Sequence, residues 1–261
     1  MSDFARSVEV ADVDGMHLWW LGHAGFVVKC FDMVFIVDPC LTTPPGRKRS
    51  TAAPVRPEEL SEVDLLLCTH KGASHLDPAT IKPMLMACPR LKVVLPKSAA
   101  SHAKESGIGY HRMTTTDSGL RVEYFKGGLY GRVYSVPSAH PELDWTSTGG
   151  YPHLGYLMRF GETTIYHAGD CKNYEGLAER LRPFNVKVAL MPINGGGNFG
   201  AAEAAQLAED IGAKWLVPMH YGTFDEQPTD INRFIDHMLG FRPDTGFKVF
   251  EPGERWTVPG D

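Results

Sequence analysis

The hydrophobic positions of this chain fall into short apolar runs that alternate with helix-period segments from one end to the other. Residues 17–21 (HLWWL) and 25–29 are rich in β-branched and aromatic residues and are separated by Gly-His-Ala; a third run, 33–37 (MVFIV), stops at Asp38-Pro39. The three predict an antiparallel meander. Residues 42–57 hold four prolines and the basic run Arg47-Lys48-Arg49, a loop long enough to act as a lid or binding loop. The nearly continuous apolar run 63–69 (VDLLLCT) predicts a strand covered on both faces. Helical spacing at 79–87 and 97–105 flanks a short strand at 91–95, and 106–118 reads as turns with an edge strand. Strands follow at 122–125 and 132–136. A hairpin at 154–160 and 163–167 turns across Gly161-Glu162, and a helix is expected at 174–181. The remaining elements are a strand at 186–191, an Ala-rich helix at 201–211 capped by Gly212, a strand at 215–218, a helix at 231–239 and a last strand at 247–250.

No fixed-period repeat and no linker interrupts this mixture, so residues 1–261 read as one domain of α/β or α+β class, with helix layers against sheet. The length is ample for a core that needs no staple to fold. The 26 basic and 31 acidic residues leave a net charge of −5, which argues against broad nucleic-acid binding. No apolar stretch approaches the roughly 18 residues of a membrane span. The N-terminal residues carry acids where a secretory leader needs a basic patch and an apolar run, so a cytoplasmic location is expected. Five cysteines, an odd number without a CxxC pair, read as reduced thiols, some of them small core residues.

The candidate chemistry lies where the strands stop. Four apolar runs finish in His70, His140, Asp170 and His220, and His75 stands five residues after the first. Strand C-terminal edges are where such folds gather polar groups from distant sequence. Imidazoles and a carboxylate converging there predict a divalent transition-metal site. Of the other histidines, His102, His111 and His237 lie in polar surroundings, His17 and His167 sit within strands as core candidates, and His23 and His153 have no assigned role.

Seven segments in order carry a family resemblance: LWWLGHAGFVVK (18–29), IVDPCL (36–41), VDLLLCTHKGASHLDPATI (63–81), VPSAHPELD (136–144), LGYLMRFGETTIYHAGDCKNYEGL (154–177), MPINGGGNF (191–199) and PMHYGTF (218–224). With them the chain resembles the metallo-β-lactamase-fold hydrolases, and within these the group of L-ascorbate-6-phosphate lactonase. The resemblance implies a four-layer αββα sandwich with a metal site at the sheet edges. Its signature, H-x-H-x-D-H followed by a His, an Asp and a His, maps onto His70, His75, His140, Asp170 and His220. Two positions depart: the middle His is Gly72 and the cluster Asp is Ser74. One half of the site would keep His70, His140 and Asp170, the other His75, Asp170 and His220. Two divalent cations about 3.5–4 Å apart repel strongly, and a carboxylate has been lost, so one tightly bound Zn or Mn ion is expected, in either half.

The resemblance further implies that a lactone, or a related ester or amide, of a small anionic metabolite is opened by water activated on the metal. Asp170, Ser74 and Asp77 are the candidate catalytic positions. Asp77, Glu142 and Asp144 are candidates to replace the lost base, or else turn and supporting carboxylates. Cys171, next to Asp170, is expected to point away. Arg47 with its basic neighbours, Lys71, Asn194 with Gly195–Gly197, Tyr221 and Phe224 are the substrate-side candidates. A phosphodiesterase on the same scaffold and a non-catalytic binding protein with a degenerate site are the rival readings, and homo-oligomers are a further expectation.

Overall fold

A computed structural model describes residues 1–225, 229–241 and 243–260. The first strands are β1 (Met16–Gly22), β2 (Gly25–Cys30), β3 (Met33–Val37), β4 (Leu65–Leu67), β5 (Lys92–Pro96) and β6 (Met113–Thr116). They form one sheet in chain order, antiparallel from β1 to β3 and parallel from β3 to β6. The next seven are β7 (Arg121–Lys126), β8 (Leu129–Pro137), β9 (Leu154–Phe160), β10 (Thr163–His167), β11 (Val186–Pro192), β12 (Trp215–Met219) and β13 (Gly246–Phe247). They build a second sheet on the same plan, antiparallel up to β10 and parallel beyond it. The last strand, β14 (Arg255–Thr257), returns to pair with β1.

The residues of β1 to β3 are buried on both faces, and strand alternation sorts them into two cores. Leu18, Trp20, Phe26, Val28 and Phe35 meet Val133, Met158, Ile165 and Leu190 of the second sheet. Trp19, Leu21, Val27 and Ile36 face the other way, onto Phe4 and Val8 of α1 (Asp3–Glu9), Ile81 and Met84 of α2 (Pro78–Ala87) and Ala103 of α3 (Ala100–Glu105). On the second sheet pack α4 (Leu177–Leu181), α5 (Ala201–Asp210) and α6 (Ile231–Phe241), through residues such as Leu177, Ala204 and Phe234. Two sheets lined by helices make an α+β sandwich, as the resemblance implies. His17 and His167 are satisfied core residues. His167 Nε2 lies 2.8 Å from the Ala24 carbonyl while its Nδ1 accepts from the Gly169 N–H, and His17 bridges the Asp12 carbonyl and Thr257.

The departures from expectation are local. The 63–69 run pairs over three residues only, and the 174–181 helix starts at Leu177, because Gly176 at φ +87° turns the chain just before it. The 247–250 strand shrinks to β13. Neither α1 nor β14 is legible in the sequence: α1 is seven residues long, started by a Ser2 side-chain cap, and β14 exists through its ladder to β1.

Candidate metal centre

Strands of both sheets end at the same edge, and the loops beyond five of them carry the polar residues. Asp38 follows β3, His70 and His75 follow β4, His140 follows β8, Asp170 follows β10 and His220 follows β12. Folding brings the five predicted ligands together around Asp170. Its Oδ1 lies 3.3 Å from His75 Nε2 and 3.4 Å from His220 Nε2; its Oδ2 lies 3.7 Å from His70 Nε2 and 3.8 Å from His140 Nε2. Asp170 Oδ1 and His220 Nε2 are buried and have no hydrogen-bond partner. Ligand bonds of about 2.0–2.1 Å in a tetrahedral zinc site set its donors about 3.3–3.4 Å apart. The spacing about Oδ1 is that of donors sharing a cation, and two orphaned buried atoms are what such an ion would satisfy. The residues therefore fit a divalent metal.

The electrostatics favour ligation. Burial pushes the His220 imidazole down to about 3, against the pull of Asp170. Burial and then the His75 ring keep His70 well below its ordinary value. For Asp170 burial favours the acid, but the surrounding imidazoles, His75 and His220 foremost, outweigh it and hold the carboxyl well below the usual range. A neutral His70 and His220 beside an ionised Asp170 are states that bind metal.

Two supports were not foreseen. Asp38 is wholly buried. Its Oδ2 accepts from His75 Nδ1 at 2.8 Å and from the Thr69 hydroxyl at 2.6 Å, and its Oδ1 accepts from the Thr69 N–H. This fixes the tautomer that aims His75 Nε2 at Asp170, and the Asp38 and Asp170 charges together raise His75 against the effect of burial. The sequence signal was a strand stopping at Asp-Pro, which reads equally well as a turn. The second support is the 194–198 loop. His140 Nδ1 meets the Gly197 carbonyl and Asn198 Oδ1, both at 3.1 Å, which leaves Nε2 for Asp170. Gly195, Gly196 and Gly197 all have positive φ, and a Cβ on Gly197 would touch the His140 ring.

Two histidines left without a role also stand here. His23, in the β1–β2 turn, stacks on His220 with ring centroids 4.0 Å apart, and the donor atoms of His23, His75 and His220 all lie within 4.8 Å of one another. His153 places its ring 4.6 Å from that of His70 and 5.3 Å from that of His140. At Gly72 a Cβ would collide with His70 Nε2, so the His70 ring occupies the space a side chain there would need.

A cavity of about 590 Å³ opens over the centre, lined by His70, Ser74, His75, His140, Asp170 and His220 and by the substrate-side candidates Arg47, Asn194, Tyr221 and Phe224. Several candidates are placed otherwise than expected. Asp77 is the N-cap of α2. Its carboxylate accepts from the Ala79 N–H and the Thr42 and Thr80 hydroxyls, and it does not line the cavity. Glu142 and Asp144 are exposed, and neither they nor the exposed Lys71 reach the cavity wall. Tyr221 shows its ring, but its hydroxyl donates to the Phe250 carbonyl and it stacks on Trp20. Of the basic run, Arg47 faces the cavity across Phe224, while Arg49 holds the Cys40 and Thr42 carbonyls. Cys171 is a buried thiol that burial pushes up to about 12, with Sγ toward the Lys172 carbonyl. All five cysteines are buried and unpaired. Among the described residues no helix is long and apolar enough to cross a membrane.

Comparison with known proteins identifies the family and the fold. Residues 34–221 match the family model described as beta-lactamase superfamily domain. A UPF0173 metal-dependent hydrolase of Hyperthermus butylicus is 31% identical over 240 residues, covering 90% of this chain and 96% of its own. One of Pyrococcus horikoshii is 31% identical over 238 residues, with the same coverage. Among solved structures, Igni18, a metallo hydrolase from Ignicoccus hospitalis, superposes with a TM-score of 0.74 at 22% identity, over 94% of this chain and 99% of its own.

Proposed function

The chain belongs to the beta-lactamase superfamily, among its metal-dependent hydrolases, and from that premise we propose that it opens a lactone, or a related ester or amide bond, of a small anionic metabolite. The observation that carries this reading is the gathering of four imidazoles around Asp170 beneath a cavity with one guanidinium on its wall. A divalent cation held by these residues, Zn or Mn on our reading, supplies polarisation of the carbonyl and lowers the pKa of water to about 7. Asp38 and the Gly197–Asn198 carbonyls keep His75 and His140 in the tautomers that present Nε2. Arg47 binds the anionic group of the substrate; its guanidinium lies 4.9 Å above the Phe224 ring, which limits its freedom. Ser74 offers a hydroxyl on the cavity wall that donates to or accepts from the reacting group. Asp170 is the one carboxylate among the described residues that lines the cavity, and its oxygens face imidazoles. Among the described residues no carboxylate other than Asp170 is left on the cavity wall to serve as a base.

The test is a substrate panel on protein loaded with zinc or manganese: sugar-phosphate lactones, neutral lactones, aryl esters and phosphodiesters. Metal-dependent turnover is expected to be fastest on the anionic lactones, with Arg47→Ala raising KM for these about 10-fold or more and leaving neutral lactones little changed. Turnover confined to phosphodiesters, or no metal-dependent turnover at all, sinks the reading.

A further inference from the structure

We propose that His23 takes the ligand place that Ser74, lacking a carboxylate, does not fill, so that His23, His75, His220 and Asp170 hold the tightly bound cation while the His70–His140 half is the weaker one. The inference takes the presence of an ion from the metal-dependent reading above. What it adds is a ligand and a choice between the two halves.

Three imidazoles and one carboxylate oxygen are a complete set for a four-coordinate zinc-type ion. His75 Nε2 and His220 Nε2 flank Asp170 Oδ1 at 3.3 and 3.4 Å, and His23 brings a donor atom within 4.8 Å of a donor on each of the two histidines. The orphaned buried atoms, Asp170 Oδ1 and His220 Nε2, belong to this half. The His23 imidazole has no hydrogen bond among the described residues, whereas the core histidines His17 and His167 use both ring nitrogens. The His23 ring lines the cavity, so a nitrogen without a partner there is open to a ligand.

The fold also invests in placing this ring. His23 sits at φ +52°, a conformation that few residues other than glycine adopt. Its N–H donates to the Thr223 hydroxyl at 2.7 Å, and its carbonyl accepts from the Trp20 indole at 3.1 Å and the His220 N–H at 3.2 Å. The β1–β2 turn is thereby clamped to the loop that carries His220. Charge agrees with a single tight ion: with neutral imidazoles, two carboxylates, the largely buried Asp170 directly and the wholly buried Asp38 through His75, balance one dication. The other half has two imidazoles on Asp170 Oδ2 at the longer separations of 3.7 and 3.8 Å; the His153 ring lies beside both but in neither group of close donors, His70 shares its group with His75 and Asp170, and Gly72 offers no donor.

The experiment compares wild type, His23→Asn and His140→Asn. Asparagine tolerates the left-handed backbone at position 23. Each apoprotein, checked for folding by circular dichroism, is titrated with zinc against a competing chelator, and the visible spectrum is recorded after loading with cobalt. The wild type is expected to bind one tight equivalent with the strong absorption of four-coordinate cobalt. His23→Asn should bind it about 100-fold or more weakly and lose that absorption, while His140→Asn keeps both. Unchanged zinc affinity in His23→Asn overturns the proposal, and so does loss of the tight equivalent in His140→Asn. Should His23→Asn fail to fold, the His140→Asn arm alone decides. A protein that binds zinc in this way and hydrolyses nothing sinks the proposed reaction and leaves the ligand set standing; lactone turnover with the ion on the His70–His140 side does the reverse.

Discussion

A single buried carboxylate shows how much of this centre depends on groups that touch no substrate. Asp38 sits at φ +44° with both oxygens engaged, and three of its bonds converge from Thr69 and His75. Without it His75 is free to turn Nδ1 toward the ion or to take the wrong tautomer. Asp38→Asn suits the backbone, because asparagine accepts positive φ, but it removes the charge and puts an amide where an acceptor is needed. We expect it to weaken metal binding about 10- to 100-fold with little change in secondary structure, measured by chelator competition and circular dichroism. An affinity equal to that of the wild type would show that the Asp38–His75 contact only packs.

At the level of elements, loops at the ends of strands deliver the candidate ligands, and short caps and turns hold those loops. Asp77 starts α2 and anchors Thr42 of the 42–57 loop at the same time. Replacing a capping carboxylate with alanine costs about 0.5–2 kcal/mol. Asp77→Ala should therefore lower the unfolding midpoint in urea while activity per folded molecule stays near that of the wild type; a selective collapse of kcat would return Asp77 to the catalytic list. The glycine run 195–197 is the matching device on the other sheet. Gly197 has φ +124° and lies against the His140 ring, so Gly197→Ala brings backbone strain together with displacement of that ligand. Loss of both thermal stability and metal affinity is expected; a change in neither would place this loop outside the centre.

For the whole molecule the centre couples function to stability, because it binds an ion only when both sheets are in place. With free metal at about 100 times Kd, ligation adds about 2.7 kcal/mol. Chelation should then lower the melting temperature by roughly 5–10 °C, read by calorimetry with and without chelator; an unchanged transition would mean that the folded protein holds no metal. The apoprotein should also weaken in acid. His167 is buried and neutral, and burial lowers its pKa below 6.5. In the window between its folded and unfolded values the unfolded chain binds more protons, so stability is complete above about pH 6.5 and falls as pH drops through that window. Protonation would cost the bond from the Gly169 N–H to its Nδ1. His167→Gln should flatten that slope in urea titrations from pH 7 to 5; an unchanged slope would assign the acid sensitivity to the other buried histidines.

The sequence by itself determined the mixed architecture and pointed to five candidate ligands, four of them ending apolar runs and His75 close behind the first, because hydrophobic periodicity and strand-end polarity are local signals. It also located the 42–57 loop and marked Gly72 and Ser74 as departures. Only the tertiary structure decided what surrounds those ligands. A carboxylate after a strand reads as a turn until His75 is found 2.8 Å away, and Asp77 reads as a spare base until its oxygens are found capping a helix. His23 precedes His220 by nearly 200 residues, and nothing in the spacing predicts their stacked rings; that contact arises where a turn of one sheet meets a loop of the sheet packed against it. The same reason hides α1 and β14, whose few residues gain their stability from the strands they cover or pair with rather than from their own periodicity.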